Sequence, residues 1–305
     1  MNLLELCLLA AIWGASFLFL RIAAPEFGPL ALIALRVGIA ALVLAPALRS
    51  ASARSQLRAK AWPLLVVGIS NSALPFGLFA YSTLYINAGL DSILNASTPI
   101  WTALIAAVWF QAGLGRQQLA GLLLGLAGVV LLVWDTIGAG IAGVPLAIAA
   151  ALLAAVCYGF AVNYSKRRLA GVQPLVVAFG SQLSAAIALL PLALPFWPRH
   201  AIAISTWSCV AALGVICTGF AYILYFRLIE RAGATYAASV TFLIPLFGLL
   251  WGALFLGEKI TPTMLAGCAI VLLGTALASG KLAKRFGKNR DGRLSGKLTI
   301  NNKSP

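Results

Sequence analysis

Long apolar runs alternate with short polar stretches along almost the whole chain, as far as residue 280. Each run is close to the roughly 20 residues that an α-helix needs to cross a bilayer. A backbone facing lipid must satisfy its own hydrogen bonds, and no alternating barrel pattern is visible, so the runs predict helices. The ten predicted spans are 3–21, 29–48, 61–83, 91–110, 117–134, 143–163, 173–196, 206–227, 235–256 and 262–280.

The composition agrees with an all-α integral membrane protein. Hydrophobic residues make up 62% of the 305 positions and charged residues only 10%. About a quarter of the residues in a soluble domain are charged, so an ordinary water-soluble enzyme is excluded. The apolar content also excludes disorder for most of the chain.

The formal net charge of +15 is distributed very unevenly. With the N-terminus inside, the inner loops and the tail hold 18 Lys and Arg residues and the outer loops hold three. This bias predicts a multi-pass protein of a bacterial-type inner (plasma) membrane with both termini cytoplasmic. We expect the basic tail, residues 281–305, to be disordered and to lie near anionic headgroups rather than on nucleic acid.

An internal repeat of five spans runs through the chain. Its matches keep their order, at offsets that drift between 141 and 146 residues. They are Trp13-Gly14 with Tyr158-Gly159, Phe79-Ala80-Tyr81 with Phe220-Ala221-Tyr222, Ala88-Gly89 with Ala232-Gly233, Pro99 with Pro245, Leu119-Ala120-Gly121 with Leu265-Ala266-Gly267, and Gly128 with Gly274. Five is odd, so the copies, 1–138 and 139–280, should be inverted in the membrane, as in many secondary transporters that work by alternating access.

Three short motifs carry a resemblance to a known family. They are Trp13-Gly14-Ala15-Ser16-Phe17, Leu35-Arg36 and Gly257-Glu258 ahead of the tenth span. With the 5+5 repeat, they make residues 3–280 similar to the EamA-type branch of the drug/metabolite transporter superfamily. The resemblance implies export of small metabolites, and a looser likeness points to the family's amino-acid exporters. The first half departs from the pattern, since Gln111-Ala112 stands where Gly257-Glu258 stands in the second.

Prolines interrupt three predicted spans near mid-depth: Pro75, Pro99 and Pro245. A proline inside a helix leaves the carbonyl four residues earlier without its usual partner. These carbonyls belong to Asn71, Asn95 and Thr241, which also carry polar side chains. Broken segments at matching positions predict kinks at the binding site of a transporter. The alternative is that each polar side chain only satisfies its own kinked helix.

Polar stripes and inner aromatic residues complete the predicted substrate site. Asp91, Asn95, Thr98 and Thr102 follow helical spacing in the fourth span, as do Thr218, Tyr222 and Tyr225 in the eighth. Polar groups are costly against lipid, so both stripes should face inward. Helix-to-helix bonding and core packing are the alternatives. The predicted substrate-binding residues are Asn71, Phe79, Asn95, Thr98, Trp101, Tyr158, Thr218, Tyr222 and Thr241.

Arg36 is the one charged residue well inside a predicted span. It has two interpretations: contact with a substrate carboxylate, or a structural role at helix ends or towards the surface, which we favour. No acidic residue lies at the centre of a span. We therefore expect facilitated movement of substrate down a gradient, or coupling through a group that the sequence does not identify, with Glu5 and Asp91 as the only fallback proton carriers.

Other classes of protein fit less well. The sequence has no HExxH, GxSxG or P-loop motif and no acidic pair within a span, which disfavours an intramembrane enzyme. The five cysteines lie in apolar runs and His200 is the single histidine, so we expect no metal site and no cofactor. Gly121, Gly125, Gly128, Gly267 and Gly274 form small-residue faces that serve either internal packing or dimerisation.

The sequence thus predicts an exporter of amino acids or similar small zwitterions, working as a monomer or weak dimer in the lipid bilayer. A small molecule is its expected partner, and nucleic acid is not. The alternatives within transport are an exporter of drugs or hydrophobic cations and an exchanger of metabolites resembling nucleotide sugars.

Overall fold

A computed structural model of the chain describes residues 2–109, 111, 113–138 and 140–279. Within these residues the regular structure is helical and no strand occurs, which confirms the all-α prediction. The basic segment 281–305, predicted to be a disordered tail, lies outside the described residues.

Twelve helices follow one another along the described chain. They are α1 (Asn2–Phe27), α2 (Pro29–Leu48), α3 (Ala51–Ala59), α4 (Ala61–Ser82), α5 (Ala88–Asn95), α6 (Thr98–Val108), α7 (Arg116–Ile137), α8 (Val144–Arg168), α9 (Pro174–Phe196), α10 (Ile204–Ala232), α11 (Ala234–Leu256) and α12 (Pro262–Ala278).

Eight of the described helices are long and apolar enough to cross a membrane. The predicted fourth span is divided into α5 and α6, and the predicted tenth span, α12, has 17 residues. The count of ten spans therefore stays a prediction, because two of the ten are shorter than a full crossing helix. The short α3 lies between the second and third spans.

The division of the fourth span follows from side chains that end one helix and start the next. The Asn87 side chain accepts a hydrogen bond from the Leu90 N–H at 2.7 Å and caps the start of α5. The Ser97 hydroxyl donates to the Leu94 carbonyl at 2.6 Å in the turn after α5. Pro99 is near the start of α6, where its missing N–H has no helical partner to lose.

Several contacts between a helix of the first half and a helix of the second have an equivalent in which the two halves have changed places. Helix α1 packs on α11 as α8 packs on α6, and α2 packs on α10 as α9 packs on α4. Helices α2 with α9, and α7 with α12, pack directly on their own counterparts. The two halves thus form one interlocked bundle related by an approximate twofold exchange.

Glycines bring α7 and α12 into close contact along opposite directions. Gly121 lies beside Ala278, Gly125 beside Gly274, Gly128 beside Val271 and Gly267 beside Leu132. A Cβ atom at Gly128 would lie 2.9 Å from the Val271 nitrogen, so a larger residue does not fit. The equivalent fifth and tenth spans therefore run antiparallel, as an inverted repeat requires. These glycine faces pack helices within one chain.

Polar contacts join both ends of α1 to α10. At one end the Glu5 carboxylate pairs with Arg227 and with Arg231, each at 3.0 Å. At the other end Glu26 accepts hydrogen bonds from the Thr206 hydroxyl at 2.8 Å and from the Ala203 N–H at 3.3 Å. The two helices are thus antiparallel over their full length, and charged groups mark the two ends of the bundle.

Candidate functional site

A buried arginine lies at the centre of the candidate site. Arg36 is only 4% exposed, on α2, and its Nε donates a hydrogen bond to the Thr218 hydroxyl at 2.9 Å. Its Cζ atom lies 3.8 Å from the centre of the Phe76 ring, a cation–π contact. No carboxylate of the described residues forms an ion pair with it. The titratable groups that interact with it electrostatically are Cys217, Tyr158 and Tyr222.

Thr218 lies in a widened stretch of α10, the π-helical segment Ala212–Phe220. Single π turns within α-helices often occur at functional sites. The Thr218 hydroxyl donates to the Leu213 carbonyl at 2.8 Å while it accepts from Arg36. Gly214 allows the close approach of α2, because a Cβ there would lie 2.6 Å from the Ile39 Cβ. The π segment therefore places the acceptor for Arg36.

A second π segment, Ile69–Ala73, lies in α4 just ahead of Pro75. The kink predicted from Pro75 thus takes the form of a widened turn. Asn71 lies within it, and its side-chain amide donates to the Tyr222 hydroxyl of α10 at 3.1 Å. Asn71 and Thr218 therefore lie in π segments of the two halves, and Tyr222, two positions after the second π segment, hydrogen-bonds to Asn71.

Aromatic rings continue the site towards α8 and α1. The Phe79 and Tyr158 rings are stacked with centroids 6.1 Å apart, and Phe76 meets Tyr158 edge-on at 6.5 Å. Phe17 of α1 packs edge-on against Phe79 at 5.4 Å. We call the following set the Arg36 cluster: Arg36, Asn71, Phe76, Phe79, Tyr158, Thr218 and Tyr222.

Three other predicted site residues use their side chains for short-range bonds instead, and Asn95 accepts one of these bonds through its backbone carbonyl. The Thr98 hydroxyl donates to the Asn95 carbonyl at 2.7 Å, so the carbonyl freed by Pro99 has a local partner. The Trp101 indole donates to the Ser97 hydroxyl at 3.1 Å, and the Thr241 hydroxyl donates to the Ala238 carbonyl at 2.9 Å. In the described part of the chain no hydrogen bond links these four to the Arg36 cluster, and their role stays a prediction.

The kink residues differ between the halves. Pro99 stands at the start of α6, directly after the break that follows α5. Pro245 lies inside the continuous stretch Val240–Leu256 of α11, whose break comes earlier, after Ala237. The prolines therefore mark the same spans but not the same point of interruption.

The second half contains a neutral counterpart of the Arg36 link. Gln182 of α9 donates from Nε2 to the Ser72 hydroxyl of α4 at 2.8 Å, and both side chains are fully buried. Gln182 lies 146 positions after Arg36, and Thr218 lies 146 positions after Ser72. In each half, a long side chain thus donates a hydrogen bond to a hydroxyl in a π segment of the other half. Only one of the two donors, Arg36, is charged.

Glu258 has a well-defined structural contact at one end of the fourth span. Its carboxylate accepts the N–H groups of Ala88 at 2.8 Å and Gly89 at 3.3 Å, and so caps α5. Asp91, one turn further along, is fully buried; one oxygen accepts a hydrogen bond from Ser82 at 2.9 Å. The other Asp91 oxygen has no partner among the described residues.

The central position of Arg36 and the presence of Phe76 and Gln182 were not predicted from the sequence. The signal for Arg36 was present, as a lone charge within a span, but the structural interpretation was favoured. For Phe76 and Gln182 there was no comparable signal, because an aromatic residue and a single amide in an apolar run do not reveal their partners.

Comparison with known proteins adds independent information. Residues 2–134 and 145–280 each match the model of the EamA-like transporter family. The chain is 26% identical to an uncharacterized transporter, YvbV, of Bacillus subtilis (strain 168), with 91% of each chain covered. It is 28% identical to a probable amino-acid metabolite efflux pump of Salmonella typhimurium, covering 88% of this chain and 91% of that protein.

A solved crystal structure shares the fold. The superposition gives a TM-score of 0.61 at 24% identity and covers 91% of this chain and 96% of the other. At that identity the likeness speaks for the fold alone.

Proposed function

This chain belongs to the EamA-like transporter family, and from that premise we propose that it exports amino acids or similar small zwitterions. Export proceeds by alternating access, in which a central site opens first to one side of the membrane and then to the other. The observation that carries the proposal is the Arg36 cluster, because α2 and α4 of the first half meet α8 and α10 of the second there.

The arrangement of the halves supports alternating access. The fifth and tenth spans are antiparallel, and helices of one half pack between those of the other. In an inverted repeat of this kind, rocking of one bundle against the other exposes a fixed central site to alternate sides. The predicted halves 1–138 and 139–280 are the units that would move.

The chemistry of the cluster suits a small amphipathic molecule. Binding pockets combine mostly apolar and aromatic walls with a few polar groups that fix orientation. Phe76, Phe79 and Tyr158 supply aromatic walls, and Asn71 and Tyr222 supply amide and phenol groups. The relative in Salmonella typhimurium is described as a probable amino-acid metabolite efflux pump, which favours the same class of substrate.

The proposal also covers the membrane in which the protein lies, its orientation there and its partners. We place the protein in a bacterial-type inner membrane with both termini and the basic segment 281–305 on the cytoplasmic side, because the basic residues favour that side. It acts as a transporter rather than an enzyme, without cofactor or nucleic acid, as a monomer or weak dimer. Asn95, Thr98, Trp101 and Thr241 remain proposed members of the site.

Counterflow in proteoliposomes tests the proposal. Vesicles holding the purified chain are loaded with an unlabelled L-amino acid, and entry of the labelled amino acid is followed. We expect transient accumulation without a pH gradient, since the movement is facilitated. Asn71→Leu should reduce it strongly, whereas Ser208→Ala, an exposed residue near one end of α10, should not. Chemical conversion of the amino acid, or flux that requires a pH gradient, would contradict the proposal.

A further inference from the structure

We infer that Arg36 binds the carboxylate of the transported molecule, which makes that molecule an anion or a zwitterion and not a simple cation. The inference rests on the proposed function and adds the substrate's required group. Its foundation is geometric: a guanidinium at the meeting point of both halves, buried, and paired with no acid of the described residues.

The free edge of the guanidinium has the right shape for a carboxylate. One edge is used, because Nε donates to Thr218, and one face is covered by the Phe76 ring. The two terminal nitrogens donate to no group in the described part of the chain. A pair of parallel N–H groups is the arrangement that binds a carboxylate in bidentate fashion. The contacts present therefore orient Arg36 and leave its two terminal nitrogens without a hydrogen-bond partner among the described residues.

The other half shows that the positive charge is not needed for helix packing. Gln182 makes the equivalent link to Ser72 at 2.8 Å with a neutral amide. If joining the second span to the eighth were the whole purpose, a glutamine would be sufficient at position 36 as well. The charge is the part of Arg36 that the fold does not explain, and a buried unpaired charge is unfavourable until a counter-ion arrives.

The neighbours of Arg36 supply no such counter-ion. The titratable groups that interact with it electrostatically are the Cys217 thiol and the phenols of Tyr158 and Tyr222. The Cys217 thiol already donates to the Ile12 carbonyl at 3.3 Å. A hydrophobic cation would meet an uncompensated positive charge here, so the cluster disfavours the drug-cation alternative. The carboxylate of an amino acid would complete the pairing.

Competition in counterflow tests the inference on the wild-type chain. The labelled substrate is L-phenylalanine, whose ring suits the aromatic walls. The competitors are unlabelled L-phenylalanine, 3-phenylpropionate, which has the carboxylate alone, and L-phenylalaninamide, which has the ring and amine without a carboxylate. We expect the amide to inhibit roughly thirtyfold more weakly than the amino acid, because a buried charged partner is left unpaired. 3-Phenylpropionate should inhibit measurably.

Variants of Arg36 show whether this residue causes the preference for L-phenylalanine over its amide. Arg36→Gln copies the link made by Gln182, so it should fold, and it should lose both tight inhibition by L-phenylalanine and the preference over the amide. Arg36→Lys keeps the charge but not the paired N–H groups, and should retain part of the preference. The matched control is Gln182→Met, which breaks the equivalent link in the other half and should leave the preference unchanged.

The outcomes separate the two proposals. Equal inhibition by amide and amino acid in the wild type, or an unchanged preference in Arg36→Gln, would overturn the role of Arg36 while leaving amino-acid export intact. Should Arg36→Gln fail to fold, the wild-type competition and Arg36→Lys still decide. Flux of tetraphenylphosphonium alone, or of no probe at all, would contradict the proposed function and the inference with it.

Discussion

The two halves of the chain use the same framework for different chemistry. Each half sends a long side chain from its second helix to a hydroxyl of the other half, Arg36 to Thr218 and Gln182 to Ser72. Each also contributes glycines to the antiparallel contact of α7 with α12. The charge at Arg36 and the acid at Glu258 occur in only one half. The comparison separates the charge of Arg36, which has no counterpart in the second half, from the helix packing that the two halves share.

Substitution of a glycine at the contact of α7 with α12 should give the largest loss of stability, whichever half the glycine belongs to. Gly128→Leu and Gly274→Leu, at equivalent positions of the repeat, both drive a side chain into the opposing helix, where a Cβ atom would meet the Val271 nitrogen and the Gly125 nitrogen respectively. We expect each to cost about 3 kcal/mol or more, at or above the upper end for overpacking. Thermal unfolding of the purified chain in detergent measures this. A large difference between the two variants would break the claim that the halves share one framework.

The next effect concerns the acid that only the second half possesses. Glu258→Ala removes the acceptor for the Ala88 and Gly89 N–H groups, so the start of α5 keeps only the Asn87 cap. Hydrogen bonds to charged groups contribute roughly 1.5–3 kcal/mol, so a loss of about 2 kcal/mol is expected. Glu258→Gln should recover part of it, since the amide oxygen still accepts. Equal stability of Glu258→Ala and the wild type would show that the cap is not needed.

Substitutions at two residues with a left-handed backbone conformation should have smaller effects on stability, of opposite sign. Gly257 has φ +64° at the end of α11, and Gln111, its counterpart after α6, has φ +52°. Glycine adopts this conformation without the steric cost that other residues pay. We expect Gly257→Ala to destabilise by about 1 kcal/mol and Gln111→Gly to stabilise by a similar amount. Chemical denaturation of both variants tests this, and effects of the same sign would contradict the structural equivalence.

The smallest effect should come from removing the neutral link entirely. In the double variant Gln182→Leu, Ser72→Ala, the donor and the acceptor of the link disappear together. The side-chain amide oxygen of Gln182, which has no partner among the described residues, is removed as well. Replacing both partners by apolar groups is often nearly neutral. We expect the free energy of unfolding to change by less than about 1 kcal/mol in chemical denaturation. A larger loss would show that the neutral link is needed for the fold.

Much of the fold could be predicted from the sequence, because apolar runs bounded by basic loops leave few alternatives to membrane helices. The interruption of the fourth span was indicated by Pro99, whose ring cannot continue a helix. The π segment in α10 had no such signal: Ala212–Phe220 contains no proline, and its shape depends on packing against α2.

The candidate site was predicted only in part, for a related reason. Helical spacing identifies which residues share a face, so Thr218 and Tyr222 were found, but it does not identify the partner across an interface. The match of Phe79-Ala80-Tyr81 with Phe220-Ala221-Tyr222 implies an offset of 141, whereas the bonds of Arg36 and Gln182 follow an offset of 146. Sequence alone does not show which of the two offsets the bonds between the halves follow.

Side-specific thiol labelling at the Arg36 cluster tests alternating access most directly. Asn71→Cys and Tyr222→Cys are introduced separately into a chain whose five native cysteines are replaced, and membrane-impermeant reagents are applied from each side. Alternating access predicts labelling from both sides at both positions, with an L-amino acid slowing each reaction. Labelling from a single side only, unaffected by any amino acid, would contradict a shared central site.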